Sequence, residues 1–338
     1  MLAAAGSQAQ VPPTYKLHVV GGLAGINQFT HNEEPFWSRE LSRLSGGKFS
    51  AEIVPFDRAG VPGSEMLRLI QLGVIPFGTT LVSFLSNEFP EFGAPDLAGL
   101  NPDMPSLKVS VAAFRPYLEK QLRDRFGIEV LAVYVYPAQV VFCRRPLTRL
   151  ADLSGRRVRV SSATQADFVG AFGGIPVMTG FAEIMAHMKS GDIECAITGS
   201  MSGNTLGLHE VSTYVHTLPL SWGLSFFGAN QTAWNALPAD LKALLRRELP
   251  KLEATIWMES QLETAAGLAC NVGASSCVGG HKGKMVLVPT SAQDERQRQE
   301  IVAKTVLTRW VQRCGSRCSE VWNQTIAPAR GIPSPPSK

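Results

Sequence analysis

The stretch from Asp152 to Gly199 constrains the fold of this chain more than any other part of the sequence. It reads DLSGRRVRVSSATQADFVGAFGGIPVMTGFAEIMAHMKSGDIECAITG, which predicts a strand, a helix, a strand, a helix and a final strand. Arg159 lies inside the first of these strands. A charge in a strand of an α/β sheet is costly to bury unless it meets an opposite charge, and no acidic residue in the neighbouring sequence is placed to pair with it.

The guanidinium of Arg159 suggests a ligand. It presents a flat fork of N–H donors, which fits a carboxylate through two parallel hydrogen bonds. The stretch therefore indicates a protein that binds an organic acid. The alternative is that Arg159 is a charge near a strand end that reaches solvent or a distant acid, and the local sequence leaves both interpretations open.

Composition narrows the classes of protein to consider. With 338 residues the chain is too long for one ordinary core and suits two domains. Hydrophobic residues make up 45% and charged residues 18%, as in a packed globular protein. The net charge of +4 is spread without a basic run, which argues against nucleic acid as a partner. No apolar run reaches the roughly 18 residues that a membrane-spanning helix needs.

The first part of the chain alternates strand and helix patterns. Strands are predicted at 17–22, 49–55 and 75–82, separated by helices at 33–45 and 64–73. This order predicts the start of a parallel, doubly wound sheet, and hence an α/β fold.

The patterns in the rest of the chain are less regular. Residues 84–115 are rich in proline, glycine and aromatic residues, which predicts a loop with short helices. A helix at 115–127 and a strand at 128–136 follow, and a second α/β unit begins after them. A long helix is predicted over 236–269, kinked at Pro250.

Both ends are predicted to lie outside the folded core. Residues 1–13, MLAAAGSQAQVPP, resemble the end of a secretory signal, with Ser7 and Ala9 suited to cleavage after Ala9. The alternative for them is a disordered terminus of small residues. Residues 331–338 are proline-rich and are predicted to form a disordered tail.

The six cysteines suggest an exported protein. Two local disulfides, Cys270–Cys277 and Cys314–Cys318, are predicted because glycine and serine between the partners let the chain bend. Free thiols and a zinc site remain alternatives, although this spacing is unusual for zinc. Cys143 and Cys195 lie in predicted strands and are interpreted as core residues.

The motifs of common enzyme and cofactor sites are missing from the sequence. It contains no dinucleotide fingerprint, no P-loop, no nucleophile elbow and no H-E-x-x-H zinc motif. His209 and His216 are the closest pair of histidines, and no neighbour completes a set of metal ligands. We therefore predict no cofactor, no metal and no catalytic residue.

Several short motifs in a fixed order match a known family. They are DLSGRRVRV at 152–160, GGIP at 173–176, Phe181 with Glu183 at a helix entry, GDIE at 191–194, EVSTY at 210–214 and NQTAWNALP at 230–238. Over residues 14–328 the chain resembles the solute-binding proteins of the tripartite ATP-independent periplasmic (TRAP) transporters, a DctP-like family. Arg157 stands where the family motif has lysine.

The resemblance implies a two-lobed periplasmic binding protein. Two α/β lobes close on a ligand, and a long kinked helix spans both of them. Lobe I would comprise residues 14–136 and 224–263, and lobe II residues 137–223 and 264–330.

The resemblance also implies site residues. Arg159 pairs with the ligand carboxylate, Phe181 packs on the ligand body, and Thr198 and Gln139 are further contact positions. Ser161 lines the same wall beside a helix N-terminus, which favours an anion. Alternatives remain for two of them: Gln139 as an ordinary strand-edge residue and Phe181 as part of the core.

Two further residues complete the predicted site. Trp222 is predicted to face the cleft, with core packing as the alternative. Thr80 lies at the carboxyl end of a strand of lobe I, from which it can reach a ligand, and its neighbours Thr79 and Ser83 can do the same.

The chain departs from better-known branches of the family at two positions. Gln139 stands where the sialic-acid-binding branch has a second arginine, so that ligand is disfavoured. The run CAITGSMSGN, which contains Thr198, lacks the carboxylate that holds a metal in branches for oxo acids. The resemblance therefore implies a small carboxylate bound without a metal.

These observations predict a periplasmic receptor, and not an enzyme. It would be a monomer that captures a small organic acid by hinge closure and hands it to the permease subunits of a TRAP transporter. One alternative is an α/β enzyme acting on an organic acid in an equivalent cleft. Another is a periplasmic sensor or scavenger without a transporter.

Overall fold

The computed structural model describes residues 15–335 and shows an α/β protein with two sheets. The strands are β1 (Tyr15–Gly21), β2 (Phe49–Pro55), β3 (Phe77–Leu81), β4 (Ile128–Val135), β5 (Gln139–Cys143), β6 (Arg157–Val160), β7 (Ile175–Met178), β8 (Cys195–Gly199), β9 (Tyr214–His216), β10 (Leu224–Asn230) and β11 (Val286–Val288). The predicted leader at residues 1–13 lies outside the described residues.

Helices cover the sheets and connect them. They are α1 (Leu41–Leu44), α2 (Met66–Gln71), α3 (Val82–Glu88), α4 (Met104–Phe126), α5 (Ala163–Ala171), α6 (Ile184–Ser190), α7 (Ser200–Leu206), α8 (Leu208–Val211), α9 (Gln231–Ala236), α10 (Ala239–Asn271), α11 (Ala292–Ile301), α12 (Leu307–Cys314), α13 (Ser316–Gln324) and α14 (Ile326–Arg330). Short 3-10 segments include Pro90–Asp96, and π-helical segments are Gln28–Glu33, Phe36–Glu40 and Val302–Val306. Within the described part, no helix is both long and apolar enough to span a bilayer.

The first sheet has the strand order β2-β1-β3-β10-β4. β1 pairs in parallel with β2 and β3, as the alternating pattern of the first 82 residues predicts. β10 is antiparallel to both β3 and β4. The chain therefore returns to the first sheet after it has built most of the second.

The second sheet contains the stretch from Asp152 to Gly199. Its order is β11-β9-β5-β8-β6-β7, with β6 parallel to β7 and β8, and β5 antiparallel to β8 and β9. The predicted sequence of strand, helix, strand, helix and strand is confirmed as β6-α5-β7-α6-β8. The exact lobe boundaries given above stay a prediction.

The prediction of a loop with short helices over residues 84–115 is partly wrong. α4 begins at Met104, eleven residues before the predicted helix start at Arg115. Asp103 caps it, because its side chain accepts a hydrogen bond from the backbone N–H of Ser106. Pro105 is tolerated because it lies in the first turn, where no helical partner for its nitrogen is needed.

α10 connects the two sheets along one side of the molecule. From its start to just past its middle it contacts the first sheet, where Trp257 Nε1 donates to the carbonyl of Val133 at 2.8 Å. Its second half contacts the elements of the second sheet, where Asn271 Nδ2 donates to the carbonyl of Ser200 at 2.9 Å. The helix continues past Pro250, and the kink predicted there stays a prediction.

The crossing of α10 and α7 requires a glycine. A Cβ atom at Gly267 would lie 2.3 Å from the backbone nitrogen of Met201, closer than any side chain allows. The close approach of these two backbones fixes α10 against the second sheet.

The cysteines form three disulfides. Cys270–Cys277 and Cys314–Cys318 are confirmed. Cys143 and Cys195 are core residues, as interpreted, since both are fully buried, but they also face each other on β5 and β8 and form a third disulfide that was not predicted. Their partnership depends on strand pairing across 52 residues, which local spacing could not indicate.

The C-terminal segment is linked to the core. Trp322 Nε1 donates to the carbonyl of Ile332 at 2.8 Å, and Ile332 packs against the main hydrophobic cluster. Of the predicted disordered tail, residues 331–335 are described and 336–338 lie outside the described residues.

Candidate functional site

A cleft between the two sheets is the candidate site. It encloses about 970 Å³, in part open to solvent. Its walls come from the carboxyl ends of β3, β6 and β8 and from the start of β10. Ligand sites of α/β proteins commonly lie at such strand ends.

Arg159 lies in the wall of this cleft, on β6, with 4% of its surface exposed. Its Nε and Nη2 atoms donate to the carbonyl of Thr179 at 3.0 and 2.9 Å. Its Nη1 donates to the carbonyl of Ile197 at 2.7 Å. These bonds fix the guanidinium and use three of its five N–H donors.

The charge of Arg159 has no counter-ion within 4.0 Å among the described residues. Burial lowers its pKa to about 10, and the more distant charge of Glu183 raises it in part, so the guanidinium is still protonated at neutral pH. A buried cation with two spare donors is costly unless an anion meets it. The predicted alternative, a strand-end charge reaching solvent or a distant acid, does not fit this environment.

A polar network beside Arg159 positions Gln139. The side-chain oxygen of Gln139 accepts from Gln165 Nε2 at 2.6 Å and from the Ser221 hydroxyl at 3.3 Å. The Ser161 hydroxyl donates to Gln165 Oε1 at 3.1 Å. The oxygen of Gln139 is thus occupied. Its amide N–H groups have no acceptor among the described residues.

Two more predicted residues line the cleft. Thr198 lies near the end of β8 with 4% of its surface exposed, and no described residue hydrogen-bonds its hydroxyl. Phe181 precedes α6, where it both lines the cleft and packs against the core of the second sheet. The structure thus brings together Arg159, Gln139, Ser161, Phe181 and Thr198.

The other two predicted residues do not line the cleft. Trp222 is 2% exposed, and its Nε1 donates to the carbonyl of Asn101 at 3.0 Å, so the indole belongs to the core. Thr80 is fully buried in β3, inside the first sheet. From the end of the same strand, Leu81, Val82 and Ser83 line the cleft, so Ser83 lies where it was predicted and Thr79 and Thr80 do not.

Sequence reasoning missed Asp96 and Gln165. Gln165 lies in the first turn of α5, and its side chain folds back to accept hydrogen bonds from the backbone N–H and the hydroxyl of Ser161, which precedes the helix. The Ser162 N-cap was a usable signal for this turn. Asp96 ends an irregular segment rich in proline and glycine, where no pattern predicts which side chains reach a cleft.

Asp96 lines the cleft and is held by backbone donors. Its Oδ2 accepts from the N–H groups of Trp222 at 3.0 Å and Gly223 at 2.9 Å, and its Oδ1 lies 3.1 Å from the same Trp222 nitrogen. Burial raises the pKa of Asp96 to about 7, although these hydrogen bonds lower it in part. The charged side chains that line the same cleft are Arg159 and Arg313.

Replacing Asp96 with asparagine should stabilise the free protein, and more so at pH 8 than at pH 5. The pKa of Asp96 rises on folding from 3.8 to about 7, so ionisation progressively costs stability as the pH rises through that window. The gross cost above pH 7 is about 4 kcal/mol, and weaker bonds to a neutral amide should reduce the net gain to about 1–3 kcal/mol. Urea unfolding at both pH values measures it, and an equal change at both would contradict the assigned ionisation.

A second arginine near the cleft is already paired. Arg313 of α12 donates to the carboxylate of Asp167 on α5, and Arg309 lies 3.5 Å from the same group. Asp167 therefore holds the C-terminal helices against the second sheet. Arg159 differs from Arg313 in having no carboxylate partner among the described residues.

The described residues contain no cluster of three or more His, Cys, Asp and Glu side chains able to bind a metal ion. The donors among the residues that line the cleft are two guanidinium groups, of which that of Arg313 is paired with Asp167, together with amide N–H groups and hydroxyls, and one carboxylate is an acceptor. This set can hold an anion and orient a second polar group of a ligand.

Comparisons with known proteins agree with this arrangement. The model of the bacterial extracellular solute-binding proteins, family 7, matches residues 21–271. A curated solute-binding protein of Roseobacter denitrificans, RD1_1052, is 22% identical over 223 residues, which cover 65% of this chain and 68% of that protein.

Solved structures share the fold. DctP7 of Bordetella pertussis, an extracytoplasmic solute receptor that binds pyroglutamic acid, matches with a TM-score of 0.79 and 23% identity over 92% of this chain and 99% of its own. A TRAP periplasmic solute-binding protein of Desulfovibrio salexigens with bound orotic acid matches with a TM-score of 0.81 and 16% identity over 94% and 99%. The predicted two-lobed fold with a long helix is thereby confirmed.

Proposed function

The chain belongs to the bacterial extracellular solute-binding proteins of family 7, which include TRAP solute receptors, and we propose that it captures a small organic monocarboxylate for a TRAP membrane permease. Members of the family are extracytoplasmic receptors and not enzymes, so the enzyme alternative is set aside. The receptor acts as a monomer in the periplasm, where its three disulfides are stable.

The environment of Arg159 carries this proposal. The guanidinium is buried, oriented by three hydrogen bonds to carbonyl groups and free of any carboxylate partner among the described residues. The two remaining N–H donors suit a carboxylate that enters the cleft. Such a ligand would offset the cost of the buried charge, which gives a large affinity from one contact.

Ligand capture proceeds by closure of the two lobes. Arg159, Gln139 and Thr198 contact the ligand from the second sheet, and residues after β3 contact it from the first. The segments that cross between the sheets are paired, since Gln139 N donates to the carbonyl of Ser221 at 2.7 Å. Such paired crossings act as a hinge, and closure excludes water from the ion pair.

The ligand is a monocarboxylate with a compact body. One unpaired cation matches one carboxylate, and Phe181 offers an apolar surface to the rest of the molecule. Two of the similar receptors bind pyroglutamate and orotate, small rings that carry one carboxylate each, and others bind galacturonate, gulonate and succinate. We take pyroglutamate and orotate as the first candidates for this cleft.

Native mass spectrometry followed by a thermal-shift screen tests the proposal. The screen contains pyroglutamate, orotate, succinate and sialic acid, each ring acid being paired with its uncharged primary amide. At least one monocarboxylate should raise the melting temperature by mass action, and its amide should not. If no small carboxylate binds, or if amides bind as well as acids, the proposal is wrong.

A further inference from the structure

A ligand whose only polar group is a carboxylate would make no hydrogen bond to Asp96, which also lines the cleft. Asp96 is the single acidic side chain among the described residues that line the cleft. We infer that Asp96 accepts an N–H from the ligand, and that the solute is a small cyclic amide acid, which carries a carboxylate, a carbonyl and an N–H. This inference rests on the proposed function and adds the class of solute.

The carboxylate of Asp96 retains acceptor capacity toward the cleft. Its hydrogen-bond donors are the backbone N–H groups of Trp222 and Gly223 and the side chain of Asn101, whereas an ionised carboxylate can accept about four hydrogen bonds. No cation of the described residues forms an ion pair with it, since Arg313 pairs with Asp167. Asp96 is therefore an oriented acceptor with no cation beside it.

A donor lies next to this acceptor. A Cβ atom on Gly223 would be 2.7 Å from Gln139 Nε2, while the backbone N–H of Gly223 donates to Asp96 at 2.9 Å. The amide group of Gln139 and the carboxylate of Asp96 thus lie against the same residue. Because the oxygen of Gln139 accepts from Gln165 and Ser221, its N–H groups remain for the ligand.

An acceptor and a donor on adjacent positions match the edge of a cyclic amide. In such a ring the N–H and the carbonyl are cis, so both point to the same side of the molecule. The N–H would donate to Asp96, and the carbonyl would accept from Gln139. A second carboxylate of a diacid would instead face Asp96, and at a pH above the pKa of Asp96 two like charges at short range repel each other.

A pair of ligands that differ in one N–H tests the inference. Pyroglutamate has a lactam ring, and its lactone analogue, 5-oxotetrahydrofuran-2-carboxylate, has a ring oxygen in place of the N–H. Isothermal titration calorimetry of the intact protein should give a Kd for the lactam at least ten-fold below that for the lactone. A buried acceptor that loses its donor accounts for a ratio of this size.

Two variants test whether Asp96 causes the difference between the Kd values for the lactam and the lactone. In Asp96→Asn, the remaining oxygen accepts from the backbone and the amide N–H groups face the ligand, so the ratio should fall to within about three-fold. In Arg159→Ala, both acids should bind more weakly and the ratio should persist, because both have the carboxylate. The asparagine variant is isosteric and is expected to fold, because the substitution removes a carboxyl group whose ionisation burial makes unfavourable.

The outcomes separate the inference from the proposed function. Equal affinities of the wild-type protein for lactam and lactone would overturn the inference and leave carboxylate capture intact. A lactone preference would overturn it as well, and so would an unchanged ratio in Asp96→Asn. Failure of both acids to bind would overturn the inference, and the proposed function would fall with it only if the wider carboxylate screen also failed.

Discussion

Replacing Arg159 with alanine should raise the Kd for the carboxylate ligand by about 30-fold or more. Truncating one partner of a buried, hydrogen-bonded charge pair costs about 2–5 kcal/mol, because the other charge is left unpaired in a site without water. The ligand carboxylate would lose both donors of the guanidinium fork. Isothermal titration calorimetry with the best acid from the screen measures the change.

Two further variants show whether ligand affinity depends on the two parallel N–H donors of Arg159 or only on its charge. Arg159→Lys keeps the charge but cannot form two parallel bonds, so its affinity should lie between those of the wild type and the alanine variant. Arg157→Ala is the matched control, because Arg157 lies two residues away on the same strand but is exposed. Its Kd should stay within about two-fold of the wild type. Equal effects of Arg157→Ala and Arg159→Ala would contradict a specific role for Arg159.

The stability of the free Arg159→Ala protein should change little. The substitution leaves the carbonyl groups of Thr179 and Ile197 without their donor, which is unfavourable. It also removes a buried charge that has no counter-ion, which is favourable. Thermal melting without ligand checks this balance and separates lost binding from lost folding.

The wall of the cleft that contains Arg159 is well predicted from the sequence. Arg159, Ser161 and Thr198 lie in or directly after strands with clear patterns, so their place at one sheet edge follows from the order of elements. Gln139 and Phe181 depend on the family resemblance. Their roles toward a ligand remain proposals, but their positions in the cleft are part of the structure.

The wall that faces them is harder to predict. Asp96 reaches the cleft because the segment 90–96 packs beside the crossing at 221–223, a contact between residues more than 120 apart. Trp222 belongs to the same crossing, yet its indole lies in the core, where its N–H donates to the carbonyl of Asn101. Side-chain direction in such irregular segments depends on tertiary contacts that no local periodicity records.

Removing the Cys143–Cys195 disulfide should cost about 4 kcal/mol of the free energy of unfolding. The bond closes a loop with a sequence separation of 52 residues, and the chain-entropy model assigns about 4 kcal/mol to a loop of this length. The double variant Cys143→Ala and Cys195→Ala keeps small apolar side chains in the buried positions. Urea unfolding under non-reducing conditions measures the loss.

The C-terminal disulfide provides the matched control for this effect. Cys314–Cys318 closes a loop with a separation of only 4 residues, so the same model gives about 2 kcal/mol for its removal. A larger loss for the short loop than for the long one would contradict the entropic account.

Ligand affinity should change less than three-fold in the Cys143 and Cys195 variant, because the backbone pairing of β5 with β8 still aligns Gln139 and Thr198. A large loss of affinity would mean that the disulfide itself holds the cleft wall in its binding geometry.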